Sequence, residues 1–143
     1  MIHSTPMRTL VQAHHDPPLA ELLRRIDCQL LPQLRLRSVD PHDPIRVLSL
    51  PQPWRQLGCG NYAAVLHHPD HPALAVKVYA PGRPGLEKEA EVYRRIGCHP
   101  AFSQCFHRGD GYLVLRCLHG VTLWDCLRRG ITIPVQAIQD IDA

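Results

Sequence analysis

One lysine lies in the middle of an apolar run of this 143-residue chain, and a cation at such a position needs an anion opposite it. Lys77 stands in the sequence Leu-Ala-Val-Lys-Val, where an unpaired charge would be strongly unfavourable. Gly58 and Gly60 precede it, separated by one residue. Such glycines adopt dihedrals barred to other residues and let backbone N–H groups face phosphate oxygens. The spacing indicates a phosphate-binding turn before a strand with a cation; an ordinary hairpin and a lysine reaching solvent from a strand edge remain alternatives.

Three acidic residues downstream are candidates to pair with Lys77. Glu87, Glu89 and Glu91 lie in a segment whose pattern predicts a helix over residues 86–96. Residues 87 and 91 share a helix face, and residue 89 lies roughly opposite them. The spacing alone leaves all three open as the partner, and we expect at least two of them to belong to a solvated face.

The elements that must position these residues follow from periodicity and turn residues. Residues 54–80 read as strand, glycine turn, strand, turn and strand. On the last of these strands Ala75 and Tyr79 share a face with Lys77, because alternate residues point the same way. The small side chain of Ala75 leaves room for a flat apolar ligand. Two further strands are predicted over 102–107 and 111–118, and two helices over 123–128 and 135–142.

The first 50 residues read as an N-terminal extension. Leucine and isoleucine recur at helical spacing in a helix predicted over about residues 17–31, and we expect that apolar face to pack on the rest of the domain. Short strands are predicted over 34–39 and 45–50. Pro51 and Pro53 mark a boundary near residue 51, which gives three regions: 1–50, 51–118 and 119–143.

Composition excludes several classes of function. The net charge of +3 is small and the basic residues are dispersed, so we expect no nucleic-acid partner. No apolar run approaches the roughly 20 residues of a membrane helix, and no secretory signal is evident, so we expect no membrane association. Six cysteines occur without a C-x-x-C pair. They are expected to be reduced thiols in a cytoplasmic protein.

A histidine cluster offers a possible metal site. His67, His68 and His71 lie close in sequence, beside Pro69 and Pro72. No cysteine lies near them in sequence, so a solvated turn is favoured over a metal centre. We therefore assign no metal-binding residue.

Several segments resemble protein kinases of the bacterial Ser/Thr type. Residues 57–65 resemble the glycine-rich loop L-G-x-G-x-[FY]-G-x-V, with Ala63 in place of the third glycine, and Ala-Val-Lys ending at Lys77 resembles the A-x-K of the third strand. The segment from Glu87 resembles helix C, and its register selects Glu89 as the lysine partner. Residues 112–127 resemble the fifth strand, hinge and helix D, and residues 132–143 resemble the start of helix E. The resemblance covers about residues 54–143.

The resemblance implies an α+β fold. The expected architecture is a protein-kinase-like small lobe, with a five-stranded antiparallel sheet and one helix C. A helical N-terminal extension precedes it, and the first helices of a truncated large lobe follow it.

The resemblance also implies roles in binding ATP. Lys77 would hold the α- and β-phosphates and Glu89 would fix Lys77, and these two are the catalytic residues that the resemblance assigns. The other implied nucleotide contacts are the phosphate-loop glycines, the residues around the adenine, and the hinge backbone. They are Gly58 and Gly60; Leu57, Val65, Ala75 and Leu115, the last as gatekeeper; and the backbone of Arg116 and Leu118.

The sequence therefore predicts the N-terminal ATP-binding portion of a Ser/Thr protein kinase, with ATP and Mg²⁺ as cofactors. A catalytic-loop Asp, an Mg²⁺-binding Asn and a D-F-G motif do not occur in the 143 residues. We expect this chain alone to be inactive, with the Mg²⁺ ligands outside it. A pseudokinase or regulatory binding module, and a small-molecule kinase on the same fold, are alternatives. A chain that stops inside its last helix is expected to be truncated and to self-associate.

Overall fold

The computed structural model describes residues 17–98 and 102–118, which form an α+β arrangement. Two α-helices and seven strands occur in this part of the chain. In chain order they are α1 (Pro17–Arg25), continued by a π-helical turn (Ile26–Leu30), β1 (Arg35–Arg37), β2 (Arg46–Ser49), β3 (Arg55–Cys59), β4 (Ala63–His67), β5 (Leu74–Tyr79), α2 (Leu86–Ile96), β6 (Cys105–Gly109) and β7 (Tyr112–Arg116).

The central feature is a five-stranded sheet in the order β3-β4-β5-β7-β6. All its neighbouring strands are antiparallel. The sequence-based prediction of a five-stranded antiparallel sheet is therefore confirmed, and so is the pairing of the Lys77 strand with residues 63–67. The predicted helix over 86–96 matches α2 at both ends.

Strand ends differ from the sequence-based prediction in the second hairpin. Strands predicted over 102–107 and 111–118 are observed as Cys105–Gly109 and Tyr112–Arg116. The connecting turn is shorter than expected because Gly109 already pairs with Tyr112, which leaves Asp110 and Gly111 as the only residues between the strands. Gly111 makes this tight turn possible with a φ of 80°, a value that glycine adopts readily.

The two faces of the sheet pack against different helices. Alternate residues of β4, β5 and β7 are fully buried on one face, among them Leu66, Val76 and Val114. These belong to one apolar cluster with α1 and the π-helical turn. The other face carries Lys77, which contacts α2 through Glu89. The sheet therefore lies between the N-terminal helix and α2.

The N-terminal helix packs as its periodicity predicts. Leu19, Leu22, Ile26 and Leu30 recur at intervals of three and four residues, and each is no more than 4% exposed. Their cluster also contains Ile45 and Trp54. The hydrophobic core is therefore continuous across the region of residue 51.

The predicted strands 34–39 and 45–50 are shorter in the structure. They pair with each other as the antiparallel β1–β2 ribbon, separate from the five-stranded sheet. The predicted helices 123–128 and 135–142 lie outside the described residues. Within the described ranges, no helix has the length and apolar character needed to cross a membrane.

The expected solvated histidine turn is wrong for two of its three histidines. His68 is 1% exposed and His71 is 8% exposed. The ring of His68 lies edge-on to Trp54, with 5.2 Å between ring centroids, and its Nε2 accepts a hydrogen bond from Arg25 of α1 at 2.8 Å. The ring of His68 is buried because α1 packs against it, whereas Pro69 and Asp70 of the same turn are exposed. Among the described residues, no group of three or more His, Cys, Asp or Glu is arranged to hold a metal ion.

Candidate functional site

A row of paired residues crosses the α2-facing side of the sheet. Gly58 pairs with Val65, Val65 with Lys77, and Lys77 with Leu113. Residues directly opposite in neighbouring strands share a face, so these four residues form one line. With strands about 4.8 Å apart, Gly58 lies roughly 10 Å from Lys77. The sheet register thus brings the glycine strand and the lysine to one surface.

The predicted ion pair between Lys77 and Glu89 forms. Lys77 Nζ lies 2.8 Å from Glu89 Oε2 and 2.9 Å from Oε1, so both carboxylate oxygens face the ammonium. The two side chains are 27% and 24% exposed. Glu89 is therefore the anionic partner that Lys77 requires at its apolar position, where most of the ion pair is shielded from water.

The other two acidic candidates lie elsewhere. Glu91 binds Arg94 and Arg95 of its own helix, at 2.6 Å and 3.0 Å. Hydrogen bonds from these guanidinium groups lower the pKa of Glu91 to about 2. Glu87 pairs with Arg108 of β6. Glu89 is therefore the residue of the three that faces Lys77, as the helix C register predicts.

Two tyrosines that were not predicted as site residues complete the surroundings of Glu89. The Tyr79 hydroxyl donates to Glu89 Oε2, and its ring centroid lies 5.6 Å from Lys77 Nζ. Burial and the nearby charge of Glu89 raise the pKa of Tyr93. The available signals were that Tyr79 shares a strand face with Lys77 and that Tyr93 lies one helical turn after Glu89. Glu89 is thus held by more than its ion pair.

The glycine pair differs from expectation in its backbone. Neither Gly58 nor Gly60 has a positive φ, so the expectation that they adopt dihedrals barred to other residues is wrong. A Cβ added at Gly58 would meet no heavy atom within 4 Å, and one at Gly60 would meet only the Ala63 carbonyl at 4.0 Å. The fold itself does not require glycine at either position. Open space above Gly58 leaves room for another molecule to approach the backbone.

The apolar candidates flank this row. Ala75 and Leu115 pair directly with each other, two residues along from Lys77 and Leu113, and are 4% and 6% exposed. Val65 is half-buried. Leu57 lies where the register of β3 and β4 shifts, between Gln56 and Gly58, and is 50% exposed. These side chains therefore flank the row that contains Lys77.

The hinge candidates have part of their backbone engaged. Arg116 N–H donates to the Gln104 carbonyl at 2.8 Å, and the Arg116 carbonyl accepts from the Ser103 hydroxyl at 2.9 Å. A carbonyl has two acceptor sites, so the Arg116 oxygen can accept a second bond. The side chain of Leu118 is 66% exposed. The end of β7 is therefore fixed by hydrogen bonds at Arg116, and the side chain of Leu118 beyond it is exposed.

Comparison with known proteins gives one partial similarity. Over 70 residues, 48% of this chain, the sequence is 27% identical to a Bacillus subtilis (strain 168) protein named "Putative serine/threonine-protein kinase YrzF". The matched segment spans 33% of that protein's length. No protein-family profile matches the chain, and no solved structure matches it. The similarity indicates a distant, kinase-type relationship over part of the chain.

Proposed function

We propose that this chain is the ATP-binding N-terminal portion of a Ser/Thr protein kinase, which in a longer protein transfers a phosphoryl group to a protein hydroxyl. The observation that carries the proposal is the Lys77–Glu89 ion pair on the sheet face that also carries Val65 and Ala75. The partial similarity to a kinase-type protein of Bacillus subtilis supports it.

The residues present suit the two chemically different halves of ATP. The ammonium of Lys77 can bind phosphate oxygens, and the Glu89 carboxylate and Tyr79 hydroxyl keep the lysine side chain in place. Gly58 leaves its backbone accessible for the phosphates. The adenine ring would lie against Val65, Ala75 and Leu115, with the free acceptor site of the Arg116 carbonyl at its edge.

Phosphoryl transfer needs groups beyond these. A side chain must orient the accepting hydroxyl, and Mg²⁺ must neutralise the phosphate charge. We expect those groups outside the 143 residues, so this chain contributes nucleotide positioning. With the metal ligands expected outside this chain, most of the triphosphate charge would have no counterion from its residues.

Nucleotide titration of the Lys77→Ala variant tests the proposal. Neutral hydrogen bonds contribute about 0.5–1.5 kcal/mol each, and ordering a flexible triphosphate opposes binding. We therefore expect a Kd for ATP weaker than about 100 micromolar, with little dependence on Mg²⁺. Lys77→Ala should weaken binding about 5- to 10-fold, because the phosphates lose their facing cation.

Lys88→Ala is the matched control, since it removes the same charge from an exposed position of α2. It should leave the Kd unchanged. Calorimetric titration with and without Mg²⁺ measures all three proteins. Equal effects of the two substitutions, or no ATP binding at millimolar concentration, would contradict the proposal. Strong Mg²⁺ dependence would mean that the chain itself supplies metal ligands.

A further inference from the structure

The connection between β1 and β2, residues 38–45, reaches the glycine hairpin directly at its C-terminal end. We call this connection the β1–β2 loop. Ile45 N–H donates to the Gly60 carbonyl, with an N···O distance of 2.9 Å. Ile45 is 3% exposed and belongs to the hydrophobic core. The carbonyl of a predicted phosphate-loop glycine is therefore anchored to a core residue of the N-terminal extension.

The N-terminal end of the same loop is linked to the hairpin indirectly, through the turn that follows β5. Ser38 Oγ accepts a hydrogen bond from Arg83 Nε at 2.8 Å. Arg83 closes a turn by donating its N–H to the Ala80 carbonyl at 3.1 Å, and Ala80 N–H donates to the Tyr62 carbonyl at 2.8 Å. Both ends of the β1–β2 loop are thus linked to the hairpin tip, at Gly60 and at Tyr62.

The middle of the loop has little packing of its own. Residues 39–44 are all exposed, and Val39 reaches 76% exposure. A cavity of about 680 Å³ lies along the loop. Inside the hairpin, Gly60 N–H donates to the Ala63 carbonyl at 2.9 Å. The position of the loop therefore depends largely on its two ends. These are the same ends that are linked to the hairpin, through Ile45 and Ser38.

We propose that the β1–β2 loop positions the glycine hairpin, so that the N-terminal extension sets the affinity of the nucleotide site. Ser38 and Arg83 are positioning residues, since they act on the hairpin through Ala80 and Tyr62. The effect on affinity rests on the proposed function; the mechanical link does not. Coupling between two sites is reciprocal, so ATP that orders the hairpin also orders the loop.

Hydrogen–deuterium exchange on the 143-residue chain tests the link. In Ser38→Ala and Arg83→Ala, exchange of the Gly60 and Ala80 amides, which are hydrogen-bonded within and to the hairpin, should rise about 3- to 10-fold, because a local opening becomes more frequent. The Kd for ATP should rise about 2- to 5-fold in the same variants. ATP added to the unsubstituted chain should slow exchange at Ile45. Ser49→Ala and Arg35→Ala, exposed on the same ribbon, should change none of these quantities.

The outcomes separate this proposal from the proposed function. Faster exchange at Gly60 and Ala80, in a chain that does not bind ATP, would support the positioning role and contradict nucleotide binding. Unchanged exchange in both variants would overturn the positioning role. Faster exchange with an unchanged Kd would overturn the coupling to the nucleotide site. The conservative Ser38→Ala keeps the test valid if Arg83→Ala lowers the melting temperature.

Discussion

At the scale of single residues, glycines that look equivalent in the sequence serve different purposes. Gly111 has a φ of 80°, and it occupies the tight turn between β6 and β7. Gly58 lies in β3 without a positive φ, and a Cβ there would meet open space. The fold therefore requires glycine at 111 and does not require it at 58, where the proposed nucleotide would approach the backbone.

We predict that Gly58→Ala separates binding from stability. Alanine in a strand is about 0.5–1 kcal/mol more favourable than glycine, so the variant should be as stable as the parent or slightly more stable. Its Kd for ATP should rise about 10-fold, equivalent to 1.4 kcal/mol, because the methyl group lies where the ligand approaches. Urea unfolding and calorimetric titration measure the two quantities.

Gly111→Ala is the comparison for that experiment. It should lower the free energy of unfolding by about 1–2 kcal/mol, because alanine is strained at positive φ. Any apparent loss of ATP affinity in Gly111→Ala should be no larger than its decrease in the fraction of folded protein explains. If Gly58→Ala is destabilised as much as Gly111→Ala, or binds ATP normally, the ligand explanation for Gly58 is wrong.

At the scale of elements, α1 and the turn after β4 are joined by polar contacts around the buried ring of His68. Arg25 of α1 bonds His68 Nε2 at 2.8 Å and lies 3.1 Å from the Asp70 carboxylate. Because Arg25 can only donate, the bonded nitrogen of His68 must be unprotonated. Burial, and then the charge of Arg25, lower the pKa of His68. The contact between α1 and the turn, which we call the joint, therefore requires His68 to be neutral.

We predict that this joint weakens in acid. In the unfolded chain His68 titrates near its ordinary pKa of about 6.5, and in the folded protein its pKa is lower. The unfolded state therefore binds more protons between the two pKa values, so the free energy of unfolding falls as the pH falls through that interval. Neutral His68 therefore makes its full contribution to the free energy of unfolding above about pH 6.5.

Urea unfolding at pH 7.5 and pH 5.5 checks this prediction. His68→Gln should flatten the pH dependence, because the titrating ring is gone. His42→Gln, at an exposed position of the β1–β2 loop, should leave the dependence as it is. A parent protein and a His68→Gln variant with the same slope would show that His68 is not the titrating group.

At the scale of the whole molecule, the sheet has a helix on each face. The N-terminal helix contributes Leu22 and Ile26, each 0% exposed, to the apolar cluster of the sheet. In α2 no residue is fully buried, and the ion pairs Lys77–Glu89 and Arg108–Glu87 join this helix to the sheet. The larger share of apolar packing lies on the side of the N-terminal extension.

We predict that the extension is required for folding of the sheet. Leu22→Ala should lower the free energy of unfolding by about 2–5 kcal/mol, because it leaves a cavity in the shared core. That loss is a large part of the whole free energy of unfolding of a domain, which is about 5–15 kcal/mol. Leu48→Ala, at a leucine that is 58% exposed, should change stability by less than about 0.5 kcal/mol. Chemical unfolding measures both, and similar values for the two variants would contradict the shared core.

Much of the local structure could be predicted from the sequence. Alternation along β5 placed Lys77, Ala75 and Tyr79 on one face, and charge and apolar spacing predicted the helix over 86–96 at both ends. These features depend on neighbours within a few residues, because strand and helix periods act locally. Residue spacing left three glutamates open as partners of Lys77. The register of the helix C resemblance selected Glu89, and the ion pair confirms that selection.

The tertiary structure alone decided the contacts between distant segments. The sequence predicted that the N-terminal helix would pack, but not that it would cover the face of the sheet opposite Lys77 and bury His68. It did not predict that the β1–β2 loop would reach Gly60. Arg25 and His68 are 43 residues apart, and Ser38 and Arg83 are 45 apart. Such pairs depend on how whole elements pack, and periodicity and turn chemistry carry no information about that packing.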